Sequence, residues 1–269
     1  MRGLMLGRTQ NTYHQIMTTH DIDTYFATRR TVRAYDPTRE IDPSLIRSLI
    51  AKAAHAPNTG NMQLYSAILT TTPDEISALA PAHFSQPAIT GAKAVLTFCL
   101  DLRRYHTWCE LSGARPGLNN LQGYTWAVMD TAIFAQQFVT LAELAGLGTC
   151  YLGTTTYNAP MIADLLRLPQ GVVPLLTVTI GYPAELPELP ERLDIDAILH
   201  TGTYHDPSAD EIHTMYAEKE SMESYRKFVI DNNKDNLAQV YADIRYPRTA
   251  NEQFSAVLKE FLKNQGIGI

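Results

Sequence analysis

The longest apolar segment of the chain, Trp126–Ala145, limits the possible folds most strongly. It is long enough to cross a bilayer as a helix, but Asp130, Gln136, Gln137 and Glu143 all lie within it. Such polar and charged side chains are costly in hydrocarbon. The segment therefore predicts a helix buried inside a water-soluble protein, and it argues against a membrane protein.

Short β-rich runs alternate with helical patterns along the first two thirds of the chain. Asp42 followed by Pro43 indicates a helix start, since the carboxylate can cap the helix and proline suits its first turn. The predicted strands are Ser66–Thr71, Ala94–Leu100 and Val172–Ile180, and the predicted helices cover residues 42–55, 125–145 and 160–167. This alternation predicts an α/β or α+β class.

The composition changes after residue 183, and the remainder of the chain is richer in charge. Pro183–Pro190 contains three prolines in eight residues and is predicted to be an extended linker. Beyond it, Asp210–Phe228 and Asn251–Lys263 have helical patterns. This arm is expected to pack either on its own domain or across a partner subunit.

Charge and cysteine content exclude several classes of protein. The net charge of −6 has the wrong sign for a protein that binds nucleic acid through its phosphates. Three cysteines without a C-x-x-C pair indicate neither a disulfide framework nor a zinc site. Met1–Met17 lacks the unbroken apolar core of a secretory signal, so a cytoplasmic location is expected. The eight histidines are scattered and no H-E-x-x-H motif is present, so no metal centre is expected. Motifs of nucleophilic hydrolases and nucleotide-binding loops are also missing.

An arginine segment, Thr28–Arg33, places three arginines within six residues of this acidic chain. Guanidinium groups and a threonine hydroxyl can together contact several oxygens of one phosphate monoester. The alternative is a solvated helix end, because arginine near a helix C-terminus also complements the helix dipole.

Two further motifs suit a flat ligand. The amide turn, Ala56–Gln63, carries asparagine and glutamine side chains whose donors and acceptors can pair with the edge of a heteroaromatic ring; an ordinary turn is the alternative. The glycine segment, Gly146–Thr154, has small residues that allow backbone amides to approach a ligand closely. It could equally be a helix cap followed by a turn.

In this order, the three motifs resemble those of the FMN-dependent nitroreductase family, and the likeness extends from Ile22 to Tyr204. The resemblance implies an α+β fold (an α/β sandwich) with a central, mostly antiparallel sheet flanked by helices. It divides the chain into an FMN-binding domain, residues 22–204, and a C-terminal helical extension, residues 205–269. The branch it resembles most contains NADPH-linked, oxygen-insensitive nitroreductases and flavin reductases.

The resemblance also implies which residues hold FMN. Those expected to bind its phosphate and ribityl chain are Arg29, Arg30, Thr31, Arg33 and, from the far side, Arg192. Those expected to reach the flavin from a partner subunit, which implies a homodimer, are Pro57, Asn58, Thr59, Asn61 and Gln63. Those expected at the flavin ring are Gln86, Tyr151, Leu152, Gly153 and Thr154. The chain departs from the branch at Pro190, where a lysine is usual, and at Thr154, where a second glycine is common.

The activity implied is electron transfer by a ping-pong cycle from NADPH, or less clearly NADH, to nitroaromatics, quinones or free flavin. No side chain is then needed as a nucleophile or general acid, and Cys150 is expected to be a packing residue. Residues 103–124 are expected to be a loop-rich cover over the acceptor. Arg226, Lys227 and Lys234 could bind the 2′-phosphate of NADPH or simply form a solvated face. A flavin-binding sensor or storage protein, and a specialised reductase on the same fold, are the alternatives.

Overall fold

The computed structural model describes residues 19–269, with side chains from Ile22 onward; the expected absence of a signal in Met1–Met17 concerns residues outside this range. The helices are α1 (Thr19–Thr28), α2 (Pro43–Ala53), α3 (Pro73–Leu79), α4 (Pro87–Thr90), α5 (Leu102–Leu111), α6 (Leu121–Leu144), α7 (Ala159–Leu165), α8 (Ala209–Ser221), α9 (Glu223–Asp231), α10 (Leu237–Gln239) and α11 (Arg248–Asn264). The strands are β1 (Tyr65–Thr70), β2 (Ala94–Asp101), β3 (Gly148–Leu152) and β4 (Val172–Gly181). Among these helices, none combines the length and the apolar composition needed to cross a membrane.

The four strands form one antiparallel sheet in the order β1-β2-β4-β3. All eight residues of β2 are buried, as expected for a central strand covered on both faces. On one face, α2 and α6 pack through Ile46, Phe134 and Phe138 against Phe98. On the other face, α3, α4 and α7 pack against Val95 and β3. The predicted α+β sandwich with an antiparallel sheet is confirmed.

The three predicted strands are confirmed to within a residue at each end, but the glycine segment was not predicted to contain a strand. Its residues Gly148–Leu152 form β3, which lies at the sheet edge beside β4. Gly148 is required there because a Cβ at this position would lie 2.7 Å from the side chain of Val32. A strand of five residues that begins with glycine has little strand signal of its own.

One expectation about the segment before α6 is wrong. Residues 103–124 are not mainly loop, since α5 occupies residues 102–111 and α6 begins at Leu121. The helical pattern over Asp210–Phe228 is confirmed as two helices, α8 and α9, which are separated at Met222, where the backbone is extended (φ −64°, ψ 137°). After α10, a π-helical turn, Val240–Arg245, precedes α11.

The last helix joins the core of the main body. Phe261, Leu262 and Ile267 are buried against Leu100 and Ala127, and Gly268 bridges to Asn120. In contrast, α8 and α9 are tied to the segment after β4 through Glu191. Its carboxylate accepts from Tyr225 Oη at 2.7 Å and pairs with Lys219 Nζ at 3.0 Å.

Candidate functional site

The arginine segment leaves α1 at Thr28 and then runs beside β3 without regular secondary structure. The amide of Val32 donates to the carbonyl of Thr149 at 3.0 Å, and the missing side chain of Gly148 allows this close approach. The first and third motifs, far apart in sequence, are therefore neighbours in space.

Arg29 is held in this position by an acidic residue of α6. Glu143 Oε2 accepts from Arg29 Nε at 3.1 Å, and Oε1 accepts from Arg29 Nη2 at 3.0 Å. The same carboxylate accepts from Tyr25 Oη at 2.8 Å and Thr149 Oγ1 at 2.5 Å. The Glu143 side chain is only 9% exposed. Burial and the bond to Glu143 raise the pKa of Tyr25 to about 12. Glu143 therefore joins α1, the arginine segment, α6 and β3.

The other cations of the set face outward. Arg30 is half-buried and donates to the carbonyls of Thr28 at 3.0 Å and Pro187 at 2.9 Å. Thr31 is half-buried and Arg33 is exposed. Arg192 donates to the carbonyl of Glu191 and lines a cavity of about 830 Å³ between residues 191–197 and α8. Within residues 22–269, no hydrogen bond joins Arg192 to the arginine segment.

The amide turn is fixed by a second acidic residue of α6. Asp130 Oδ1 accepts from the Thr59 amide at 2.8 Å and from Thr59 Oγ1 at 2.9 Å. Asp130 is 1% exposed, and its Oδ2 has no hydrogen-bond partner. Asn58 Oδ1 accepts from the amide of Gln63 at 3.2 Å.

The backbone of the amide turn is unusual. Gly60, Asn61 and Gln63 all have left-handed φ values, 56°, 57° and 53°, which non-glycine residues adopt at a cost. Pro57 at its start is exposed. The bonds from Asp130 and Asn58 stabilise this shape, so the turn presents its side chains in one fixed arrangement.

Helix α5 lies against the amide turn. The guanidinium of Arg104 donates to the carbonyls of Gln63 and Tyr65, at 2.5 and 2.9 Å, and to Ser66 Oγ at 3.1 Å. A cavity of about 380 Å³ opens between the two elements, lined by Gly60, Asn61, Met62, Arg104, Tyr105 and Trp108. The segment expected to cover the acceptor therefore adjoins the amide turn, although it is helical.

At the other end of β3, the glycine segment meets the residues before α4. His83 Nδ1 lies 2.9 Å from Thr154 Oγ1, and Gln86 Nε2 donates to the carbonyl of His83 at 3.0 Å. A Cβ added to Gly153 would meet no atom within 4 Å, so open space adjoins the backbone there. Leu152 is buried in the core, so only its backbone could contact a ligand.

Cys150 and Tyr151 carry no sign of reactive chemistry. Burial raises the pKa of the Cys150 thiol and that of the Tyr151 hydroxyl, which keeps both groups protonated. All three cysteines are buried and free. In the described part of the chain, no cluster of three or more histidine, cysteine, aspartate or glutamate side chains could hold a metal ion.

One protomer does not bring all three motifs to one place. The arginine segment is anchored at Glu143 and the amide turn at Asp130, and these acids are about 20 Å apart along α6 at a rise of about 1.5 Å per residue. The arginine segment and Gly153 lie at opposite ends of the short strand β3, whereas the amide turn lies toward the other end of α6. Neither Glu143 nor Asp130 was identified from sequence as part of a site; the only signal was their polarity within an apolar helix.

The nitroreductase family model matches residues 26–182. The CR(VI) reductase of Pseudomonas sp. (strain G-1) is 31% identical over 236 residues, covering 87% of this chain and 94% of that protein. The FMN reductase (NADPH) of Bacillus subtilis (strain 168) is 29% identical over 182 residues, covering 67% and 73%. A crystal structure from Bacteroides fragilis NCTC 9343 superimposes with a TM-score of 0.89 at 45% identity, covering 91% of this chain and all of that one. The resemblance is confirmed: the chain belongs to the nitroreductase family and is an NAD(P)H-dependent flavin oxidoreductase of that family.

Proposed function

We propose that this protein is a homodimer with FMN bound at each subunit interface, and that it passes electrons from NADPH to small acceptors such as nitroaromatics, quinones or free flavin in a ping-pong cycle. One observation carries this proposal: the arginine segment is locked beside β3 by Glu143, and β3 leads directly into the open backbone at Gly153. A cationic end and an open, uncharged end joined by one short strand match a ligand with a phosphate at one end and a flat ring at the other.

The residues present fit FMN. Arg33 is exposed and Arg30 is half-buried, so their guanidinium groups can contact a phosphate that reaches the segment. Gly153 leaves room for a ring to lie against the backbone, and Gln86 and Tyr151 adjoin the same end of β3 as candidate ring contacts. Arg192 would approach the phosphate from residues 191–197. When bound, FMN supplies the hydride acceptor and donor of the reaction.

The separation of about 20 Å along α6 supports a dimer. Asp130, which anchors the amide turn, lies about 20 Å along α6 from Glu143, which anchors the arginine segment. We therefore assign the residues of the turn to the site of a partner subunit: Pro57, Asn58, Thr59, Asn61 and Gln63. An apolar stripe on α6, formed by Leu121, Met129 and Ile133, is exposed in the single chain. Such a stripe suits burial against a second copy.

In this mechanism the protein's own residues bind, orient and exclude water. Glu143 fixes Arg29, and with it the backbone of the arginine segment. Asp130 and Arg104 fix the amide turn, so the partner's side of the pocket is preformed and pays little ordering cost on binding. Trp108 and Tyr105 of α5 lie where they can cover an acceptor. No nucleophile or general acid is required from the chain.

The preference for NADPH is proposed from the relatives, one of which is an FMN reductase (NADPH). Of the basic candidates, Lys234 is paired with Asp243 at 2.8 Å, whereas Arg226 and Lys227 are exposed on α9. We therefore place the 2′-phosphate contact on Arg226 and Lys227. The free, buried cysteines suit the reducing cytoplasm in which this proposal places the protein.

The decisive experiment is an absorption spectrum of the purified protein, followed by anaerobic addition of NADPH and, separately, NADH. The proposal expects flavin bands that NADPH bleaches and that return when an acceptor is added. A protein without flavin bands after incubation with FMN would refute the proposal. Bands that neither nicotinamide bleaches would instead support a sensor or storage protein. Equal kcat/KM for the two nicotinamides would refute the NADPH preference.

A further inference from the structure

His83 is a buried histidine beside the glycine segment. It is 0% exposed and closes the short 3₁₀ helix Ala80–His83. Its Nδ1 lies 2.9 Å from Thr154 Oγ1, and its Nε2 is buried without a hydrogen-bond partner. The imidazole therefore has one polar contact in the described chain, and that contact is the threonine that follows Gly153.

The position of the ring is tightly set. Asn158 Nδ2 donates to the carbonyl of Ala82 at 2.7 Å, and Gln86 Nε2 donates to the carbonyl of His83 at 3.0 Å. The next two residues, Phe84 and Ser85, both have left-handed φ values of 55° and 48°. These constraints fix the backbone on both sides of the histidine.

The lack of a hydrogen-bond partner for Nε2 in the described chain indicates which nitrogen of the His83 ring carries the proton. A proton on Nε2 would leave a buried N–H donor unsatisfied, and such orphaned donors are rarer and more costly than an unused acceptor lone pair. We therefore assign the proton to Nδ1, which donates to Thr154 Oγ1. Burial lowers the pKa of His83 to about 4, so the ring stays neutral near neutral pH.

This tautomer determines what the threonine can do. With its oxygen accepting from His83, the hydroxyl of Thr154 keeps its own proton free for another acceptor. The residue is half-buried and follows Gly153, beside which the space is open. The hydroxyl is thus a donor placed at the open end of β3.

We propose that His83 is a positioning residue that aims the Thr154 hydroxyl, as a hydrogen-bond donor, at the polar edge of the bound flavin. The inference rests on the proposed function, since it needs FMN in the site. A donor at this edge stabilises the negative charge that the ring system gains on reduction. Thr154 together with His83 then raises the reduction potential of the bound cofactor.

The test is the midpoint potential of bound FMN in four variants, measured by anaerobic dye titration. Thr154→Val removes the hydroxyl at nearly constant volume, and Thr154→Ser keeps it. His83→Leu removes the ring donor, and His83→Asn keeps a nitrogen donor near the place of Nδ1. We expect Thr154→Val and His83→Leu each to disfavour reduction about tenfold, which is about 30 mV for a two-electron couple. Thr154→Ser and His83→Asn should stay within about a third of that shift.

The combined variant His83→Leu with Thr154→Val should shift no further than Thr154→Val alone, because both changes remove one contact. An unchanged potential in Thr154→Val with FMN bound would overturn the inference. So would a ¹⁵N NMR spectrum of the FMN-free protein that places the imidazole proton on Nε2, a measurement that needs no variant. If the unaltered protein fails to bind FMN, the proposed function falls instead, and the NMR result still decides the tautomer.

Discussion

Replacing Glu143 with glutamine should destabilise the protein strongly although the two side chains have nearly the same volume. All four contacts of this carboxylate are donors: Tyr25 Oη and Arg29 Nε reach Oε2, and Arg29 Nη2 and Thr149 Oγ1 reach Oε1. An amide offers only one oxygen. Whichever way it is flipped, its NH₂ group faces one N–H of Arg29 and loses that bond, while the neighbouring hydroxyl of Tyr25 or Thr149 can accept from the amide instead; the negative charge that pairs with Arg29 is lost as well.

The magnitude follows from the burial of the pair. Removing one partner of a buried ion pair costs about 3–5 kcal/mol, and because the Arg29 side chain is 25% exposed we expect about 3 kcal/mol. Urea denaturation followed by circular dichroism should show this loss, and fluorescence titration should show FMN binding weakened at least tenfold. Glu110→Gln, the same change at an exposed position of α5, is the matched control and should stay within about 0.5 kcal/mol.

A double-mutant cycle tests the cause. If Arg29→Met is added to Glu143→Gln, the two losses should not add, because each change removes the same pair. A Glu143→Gln variant as stable as the control would refute the assignment of Glu143 as the anchor of the arginine segment. Additive losses would show that the two residues act independently.

Three further outcomes are expected. Asp130→Ala should cost about 3 kcal/mol by leaving two Thr59 donors unmet and should weaken FMN binding. Asp130→Asn should cost less than Asp130→Ala, because its oxygen can keep both bonds made by Oδ1 although its NH₂ group is buried where Oδ2 has no partner; equal urea midpoints for the two variants would contradict this. In the unfolded state His83 has the usual histidine pKa of about 6.5, whereas burial lowers its pKa in the folded state to about 4. Between these values the unfolded state binds more protons, so the free energy of unfolding should fall by roughly 3 kcal/mol as the pH drops from about 6.5 to 4. His83→Asn should lose that share of the acid sensitivity, and an unchanged profile of unfolding free energy against pH would count against it. Cys150→Ala should leave NADPH-dependent flavin reduction nearly unchanged, and loss of turnover with flavin bound would show that the thiol takes part.

Most of the fold could be predicted because its elements carry strong local signals. The buried strands β1, β2 and β4 are β-rich runs, and α2 has a capping aspartate before a proline. β3 could not be predicted, since its five residues become a strand only through pairing with β4. The break at Met222 has no proline or glycine to mark it. Both are decided by contacts distant in sequence, which override local preference.

The sequence also predicts only part of the candidate site. The three motifs could be identified in the sequence because each concentrates one residue type, arginine, amide or glycine. The residues that hold these motifs in place are Glu143, Asp130 and Arg104. They could not be identified from the sequence, because each lies outside the three motifs in a segment of different composition. That Arg29 pairs with Glu143, and that His83 meets Thr154, depends on where the sheet order places β3.

Two acids of α6 explain both why this helix is unsuited to a membrane and how the candidate site is held together. Asp130 and Glu143 exclude α6 from a membrane because their carboxylates are too costly in hydrocarbon. Burying them in a protein core is costly as well unless donors meet them. Thr59 donates to Asp130, and Arg29, Tyr25 and Thr149 donate to Glu143. These hydrogen bonds offset the cost of burial, and they also fix the amide turn and the arginine segment. The two anchors stand about 20 Å apart on one helix, so in the proposed homodimer each chain contributes to two different sites and a second copy completes each of them.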